Sequence, residues 1–217
     1  MASDRRPPAT PERTASSPRH GACQTERASI DAYSLEVEDA QGLVGDQASQ
    51  TAFRQVLNDW QVALERVGST PFGEDTADAL SNDELDRMAH EGGGEAAQAI
   101  ALAIHEFSAR LAYAVGRFMR HDQWTDVERI VVGGGFKESA IGRLAIRRTQ
   151  QRLAEDGLQV ELRRLHHEAD DGGLVGWAQL HPQGPPKQAF LAVDIGGTNV
   201  RCGIVAPVAA DPGPGTG

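Results

Sequence analysis

The chain has 217 residues with 31 acidic against 21 basic side chains, and its net charge of −10, with no basic stripe or aromatic platform to offset it, argues against nucleic acid as a partner. Two isolated cysteines form no disulfide framework, no apolar run approaches the length that spans a bilayer, and the Arg-, Pro- and Ser-rich N-terminus lacks the apolar core of a secretory signal, so a cytoplasmic protein is expected. A hydrophobic fraction of 40% beside 24 glycines and 11 prolines predicts one or two domains with a modest core and long irregular stretches.

Residues 1–28 mix Pro, Arg, Ser and Thr without periodicity and read as a disordered tail. Residues 29–94 form a segment of a hairpin and helices that no motif assigns. Within it, 30–47 alternates apolar and polar residues and turns at Gln41-Gly42, the pattern of a hairpin. From Ala48 to Arg66, Phe53, Val56, Leu57, Trp60 and Leu64 line one face of an amphipathic helix, with Trp60 on the buried side. Pro71-Phe72-Gly73 breaks the chain. Ser81-Asn-Asp-Glu84 reads as a capping box opening a short acidic helix to His90, before a Glu91-Gly-Gly-Gly94 hinge.

The segment 95–182 opens on a long helix from Glu95 to Arg120, whose Ile100, Ile104, Phe107, Leu111, Val115 and Phe118 make one apolar face expected to pack against a sheet. Ile130 to Val132 is a short β-branched strand, Gly133 to Gly135 a turn open to close backbone approach, and Ser139 the N-cap of a helix that runs from Ile141 to Glu155 and ends at Gly157. The three glycines lack the spacing of a dinucleotide fingerprint. Leu158 to Leu165 alternates as a strand, and Asp170 to Leu180 reads as a closing helix. His166-His167-Glu168 with Asp170 and Asp171 could form a metal cluster, but it reads better as a solvated turn, because adjacent residues at a strand end point to opposite faces.

Phe190-Leu-Ala-Val-Asp-Ile-Gly-Gly-Thr-Asn-Val-Arg-Cys-Gly-Ile-Val205, within a segment 188–206, predicts two strands around a glycine turn. Gly196 and Gly197 lack Cβ, so successive backbone N–H groups can point at an anion, and Thr198 adds a hydroxyl. Asp194 would repel a phosphate unless a cation lay between them, which implies Mg²⁺ held through water. Asn199 follows, and Arg201 could reach a phosphate or hold the hairpin by an ion pair. Residues 207–217 are a Pro/Gly tail without strand signal, read as disordered.

The string Asp194-Ile-Gly-Gly-Thr-Asn-Val-Arg201-Cys-Gly203 resembles the first phosphate motif of the ROK family (repressors, uncharacterised open reading frames and sugar kinases), within the actin-like ATPase superfold. Trp124 to Ser139 resembles the same family's late strand, Gly-Gly-Gly, helix segment, and Asp170 to Leu180 its closing helix. The resemblance covers about residues 95 to 206. It implies an α/β, partial actin-like ATPase (ribonuclease H-like) fold with a mixed sheet and flanking helices. It also implies ATP and Mg²⁺ as cofactors, with Asp194, Gly196, Gly197, Thr198, Asn199 and Arg201 at the phosphates and metal, and Gly133, Gly134 and Gly135 bordering the adenosine. Here the second-lobe segment precedes the first-lobe hairpin, a circularly permuted order.

The resemblance further implies transfer of a phosphoryl group to a sugar hydroxyl, as in a glucokinase-like enzyme, which needs a base aspartate because a neutral hydroxyl is a poor nucleophile. No residue matches that base. Asn58-Asp59 and Asn82-Asp83 sit in charged, helix-like surroundings, and the family's zinc-binding cysteines and the repressors' helix-turn-helix are absent too. A two-stranded hairpin alone is marginal in water, so the missing first-lobe strands predict a truncated or frame-disrupted, inactive product. Two readings follow: the ATP-binding part of a sugar kinase, or a non-catalytic nucleotide-binding or interaction module. The expected partners are ATP, a sugar and further copies of the chain, with no membrane.

Overall fold

The computed structural model describes residues 23–24, 29–30, 36–91, 93–124, 126–168, 171–177, 188–195 and 200–206, and at 23–24, 29–30, 123, 177, 194–195 and 200–201 it describes the backbone alone. The chain divides into two units, Met1–Leu35 and Glu36–Gly217. In the first, β1 (Cys23–Gln24) pairs antiparallel with β2 (Ser29–Ile30), so paired backbone begins inside the stretch read as a tail.

The second unit begins with β3 (Glu38–Asp39) and β4 (Gly42–Leu43), a hairpin shorter than the alternation suggested. Its turn is Ala40-Gln41, one residue earlier than expected, with Gly42 at φ +115°. Four helices follow: α1 (Gln50–Glu65), α2 (Asn82–Glu91), α3 (Glu95–Met119) and α4 (Ala140–Glu155). Their ends obey local chemistry. Ser49 Oγ accepts from Ala52 N at 3.0 Å to cap α1. Ser81 and Glu84 close a reciprocal capping box on α2. Gly157 at φ +78° ends α4, with the Leu158 amide donating back to Leu153 O at 2.8 Å.

One cluster unites the four helices. Phe53, Val56 and Leu57 of α1, Leu85 of α2, Ile100, Ile104 and Phe107 of α3, and Ile141 and Ala145 of α4 pack together with Phe72 and Leu80 from the connection between α1 and α2. Each fully buried large side chain contributes about 1.5–3 kcal/mol. Gln61, also buried, accepts from Ala77 N at 2.8 Å and donates to Asp75 O at 3.0 Å, which fastens that connection to α1. Trp60 is half-buried and its indole N–H donates to Glu106 Oε2 at 2.9 Å.

The α3 face expected to lie on a sheet packs for most of its length on helices instead. Only its last turns, Ala112 and Val115, meet strand residues, in a second cluster with Leu153, Val160, Ile130 and Leu162. Those strands, β5 (Arg129–Val132) and β6 (Glu161–Arg164), are parallel, in register from Arg129↔Glu161 to Val132↔Arg164, with α4 as their crossover. A short helix α5 (Asp171–Trp177) follows, then β7 (Phe190–Ile195) and β8 (Val200–Val205), antiparallel from Phe190↔Val205 to Ile195↔Val200.

The described residues are thus α/β, but their strands fall into four separate two-stranded sheets rather than one mixed sheet. β7 and β8 pair locally across a four-residue connection, and among the described residues α5, not a third strand, lies against them. Among the described residues no helix is long and apolar enough to cross a membrane.

Candidate functional site

β5 delivers the chain into Gly133, Gly134 and Gly135, all exposed. Gly134 takes φ +84°, where a side chain would be strained, and a Cβ added at Gly134 or Gly135 would meet nothing within 4 Å. The turn is therefore open to close approach from outside, and it is firmly seated from inside. Gly135–Glu138 form one 3₁₀ turn. Phe136 contacts Phe53 and Phe107, with ring centroids 4.8 and 5.6 Å away, so the glycine turn hangs on the helical core.

A glycine turn running into a helix commonly binds phosphate at the helix N-terminus, where free amides and the dipole favour an anion. In this chain that position is filled from within. Asp86 of α2 accepts from Ala140 N at 2.5 Å and from Ile141 N at 2.9 Å. Ser139 Oγ takes Gly142 N at 3.0 Å, and the Ser139 carbonyl takes Arg143 N at 3.0 Å. All four first-turn amides of α4 have partners, so a ligand at the glycine turn meets exposed glycine backbone and no vacant helix end.

Lys137 lies in the same turn with only 2% of its side chain exposed. Its Nζ donates to the Glu138 carboxylate and to the His167 carbonyl, the latter at 2.9 Å. Leu165, just past β6, adds an apolar contact to the same join. A Cβ on Gly133 would sit 4.0 Å from Leu165 Cδ2, and one on Gly172, in the first turn of α5, only 2.7 Å from it. Leu174 of α5 is buried, and a Cβ on Gly203 would lie 3.1 Å from its Cδ1. A line of contacts therefore runs from the Gly133 turn through Leu165 and α5 to the middle of the β7–β8 hairpin. Small residues at Gly172 and Gly203 permit this approach.

Of the residues expected to hold phosphate and metal, Asp194 and Arg201 are placed opposite each other in the backbone register. Gly196, Gly197, Thr198 and Asn199 lie outside the described residues, as does Asp170. Asp59 and Asp83 are exposed on helices, and Asn82 accepts from Arg54 Nη2 at 2.6 Å, which gives it a structural partner. His166, His167 and Glu168 are exposed, and no group of three or more potential metal ligands occurs among the described residues. Asp86 and Lys137 were not singled out by sequence reasoning. The Asp86 partners are 54 and 55 residues away, and although Glu138 adjoins Lys137, the carbonyl that seats the lysine is 30 residues on.

Two hollows lie along α3, sharing Ala109 and Tyr113, and neither is lined by a residue expected at the site. The one of about 510 Å³ is lined by two arginines, Arg120 and Arg152, and two carboxylates, Glu155 and Asp156, so its lining carries no net charge. The other, of about 460 Å³, is closed on one side by Asp39, which accepts from the Tyr113 hydroxyl at 3.0 Å. No family model, curated protein or solved structure matches the chain.

Proposed function

We propose that this chain is the ATP-binding part of a sugar kinase of ROK type, with a partial actin-like ATPase fold in permuted order, working in the cytoplasm. The observation that carries the reading is the unit β5, Gly133–Gly135, Ser139-capped α4, parallel β6, joined through α5 to a hairpin whose register sets Asp194 opposite Arg201. The filled N-terminus of α4 supports the adenosine, not the phosphates, at Gly133, Gly134 and Gly135. The phosphates then belong at the other motif: Gly196, Gly197 and Thr198 by backbone and hydroxyl, Asn199 and Arg201 by side chain. A single strand-end carboxylate suits Mg²⁺, which keeps several waters and takes one or two carboxylates together with substrate phosphates. Asp194 would hold it through water, and the ion would neutralise charge on the transferring phosphoryl group.

A second reading, a nucleotide-binding or interaction module without turnover, is favoured by the state of the only Asn-Asp pairs. Asn82 is tied to Arg54, and Asp59 and Asp83 lie exposed on helices. ATP-Mg²⁺ should raise the melting temperature of the purified chain, since a ligand that binds only the folded state stabilises it by mass action. Asp194→Ala should remove that rise. A wild-type melting temperature that ignores millimolar ATP-Mg²⁺ would overturn both nucleotide readings, and sugar phosphorylation above background would eliminate the second.

A further inference from the structure

A buried lysine is rare unless it has work for its charge, because an ammonium leaves water only at a large cost. Lys137, at 2% exposure, lies two residues past Gly135, and its Nζ reaches across to the carbonyl of His167 in the connection between β6 and α5. The Glu138 carboxylate, itself nearly half exposed, supplies the balancing charge. These two loops leave the adjacent C-terminal ends of two parallel strands, Val132 and Arg164, and they carry Gly133–Gly135 on one side and the first turn of α5 on the other. Leu165 fills the apolar part of the gap between Gly133 and Gly172, and the Lys137 bond closes its polar part.

From this juxtaposition we infer that Lys137 is the positioning residue of the nucleoside side of the site: it holds residues 165–168 against the glycine turn and so sets the edge along which adenosine lies. The inference rests on the nucleotide reading above. Lys137 bonds the loop and needs no contact with the ligand.

The test uses the full chain with Lys137→Met, which keeps the buried volume and removes the charge. The Glu138 carboxylate left behind is nearly half exposed and is taken up by water, so no charge is stranded in the interior and this variant should fold. Glu138→Gln serves as a second variant that retains the bond to His167. Amide exchange is followed without ligand over 133–142 and 164–175, with 95–119 as internal reference, and adenosine and ATP-Mg²⁺ are titrated in parallel. Lys137→Met should speed exchange in both loop segments together, leave 95–119 unchanged, and weaken adenosine and ATP-Mg²⁺ by a similar factor of about ten, the size of a lost charged hydrogen bond. Glu138→Gln should do much less. Unchanged exchange at 164–175 in Lys137→Met overturns the clamp, and faster exchange with unchanged affinity reduces it to a purely structural bond. A wild-type chain that binds neither ligand shows instead that the nucleotide reading has failed, and this is seen before any variant is made.

Discussion

Asp86 and Ile141 are 55 residues apart in sequence, yet the carboxylate of one caps the helix in whose first turn the other lies, Oδ1 accepting the Ile141 amide at 2.9 Å while Oδ2 takes Ala140. The bond joins α2 to α4 and places a negative charge at the positive end of the α4 dipole. Asp86→Ala should therefore cost about 1–2 kcal/mol, read as a lower urea midpoint at unchanged slope. The variant also exposes a free helix N-terminus, an anion site. Sulfate should restore part of the lost stability in Asp86→Ala beyond its general effect on the wild type. A variant that unfolds at the wild-type midpoint would show that water replaces the carboxylate without loss.

Two helical glycines should respond in opposite ways to the same substitution. Helix propensity alone favours alanine over glycine by about 1 kcal/mol at both. At Gly142, in the first turn of α4, a Cβ would overlap the Phe136 carbonyl oxygen, which is backbone and is fixed by the Ser139 hydroxyl at 2.8 Å. At Gly116, in α3, the nearest atom would be Leu158 Cδ1 at 3.5 Å, an ordinary contact. Gly142→Ala should destabilise by several kcal/mol or prevent folding, and Gly116→Ala should leave the melting temperature unchanged or raise it. Equal effects from the two would mean that the glycine turn can shift to make room.

Several carboxylates tie stability to pH in one direction. Glu84 accepts from the Ser81 amide and hydroxyl, both at 2.7 Å, and these bonds, the amide's first, hold its carboxyl below the ordinary 4.5. Glu161 is lowered by Arg163 and then Arg129, and Glu95 by the Ser69 side chain and then the Thr70 amide. A pKa lowered by folding gives stability that is fully present above the unfolded value and disappears as pH falls through the folded one. The urea midpoint should hold steady down to about pH 5.5 and decline from near 4.5 downward. Glu84→Gln should start lower at pH 7 and fall less steeply. A decline as steep as the wild type's would remove Glu84 from the cause.

What the sequence made legible here is local. Ser81 with Glu84, Ser139 ahead of Ile141, and Gly157 each bring hydrogen-bond chemistry within four residues of the helix end they set, and all three ends lie where that chemistry places them. The glycine turn after β5 was legible for the same reason. Partners at long range were not. The apolar stripe of α3 reads the same whether it meets a sheet or three helices, and only tertiary packing decides that it meets helices. Lys137 looks like a surface residue in sequence because burial depends on the His167 carbonyl 30 residues on. Asp86 looks like one more charge on an acidic helix.

The hairpin and the long helix should differ sharply in protection. α3 is 25 residues long, and ten of them are buried. The β7–β8 pair has α5, seven residues, against one side, where Ala192 is buried and Gly203 faces Leu174. On its other side Leu191 and Ile204, opposite each other in register, are 67% and 78% exposed, and Val193 is 45% exposed. A two-stranded ribbon with one face in water is marginal, and local opening draws on the least buried parts of a fold first. Amides in 188–206 should exchange at least about 100-fold faster than those in 95–119, a gap of about 3 kcal/mol in opening free energy. Slow exchange in the hairpin would mean that something covers the Leu191–Ile204 face. Protection that fades on dilution would identify the cover as a second copy of the chain, and protection independent of concentration would assign it to this chain's own residues.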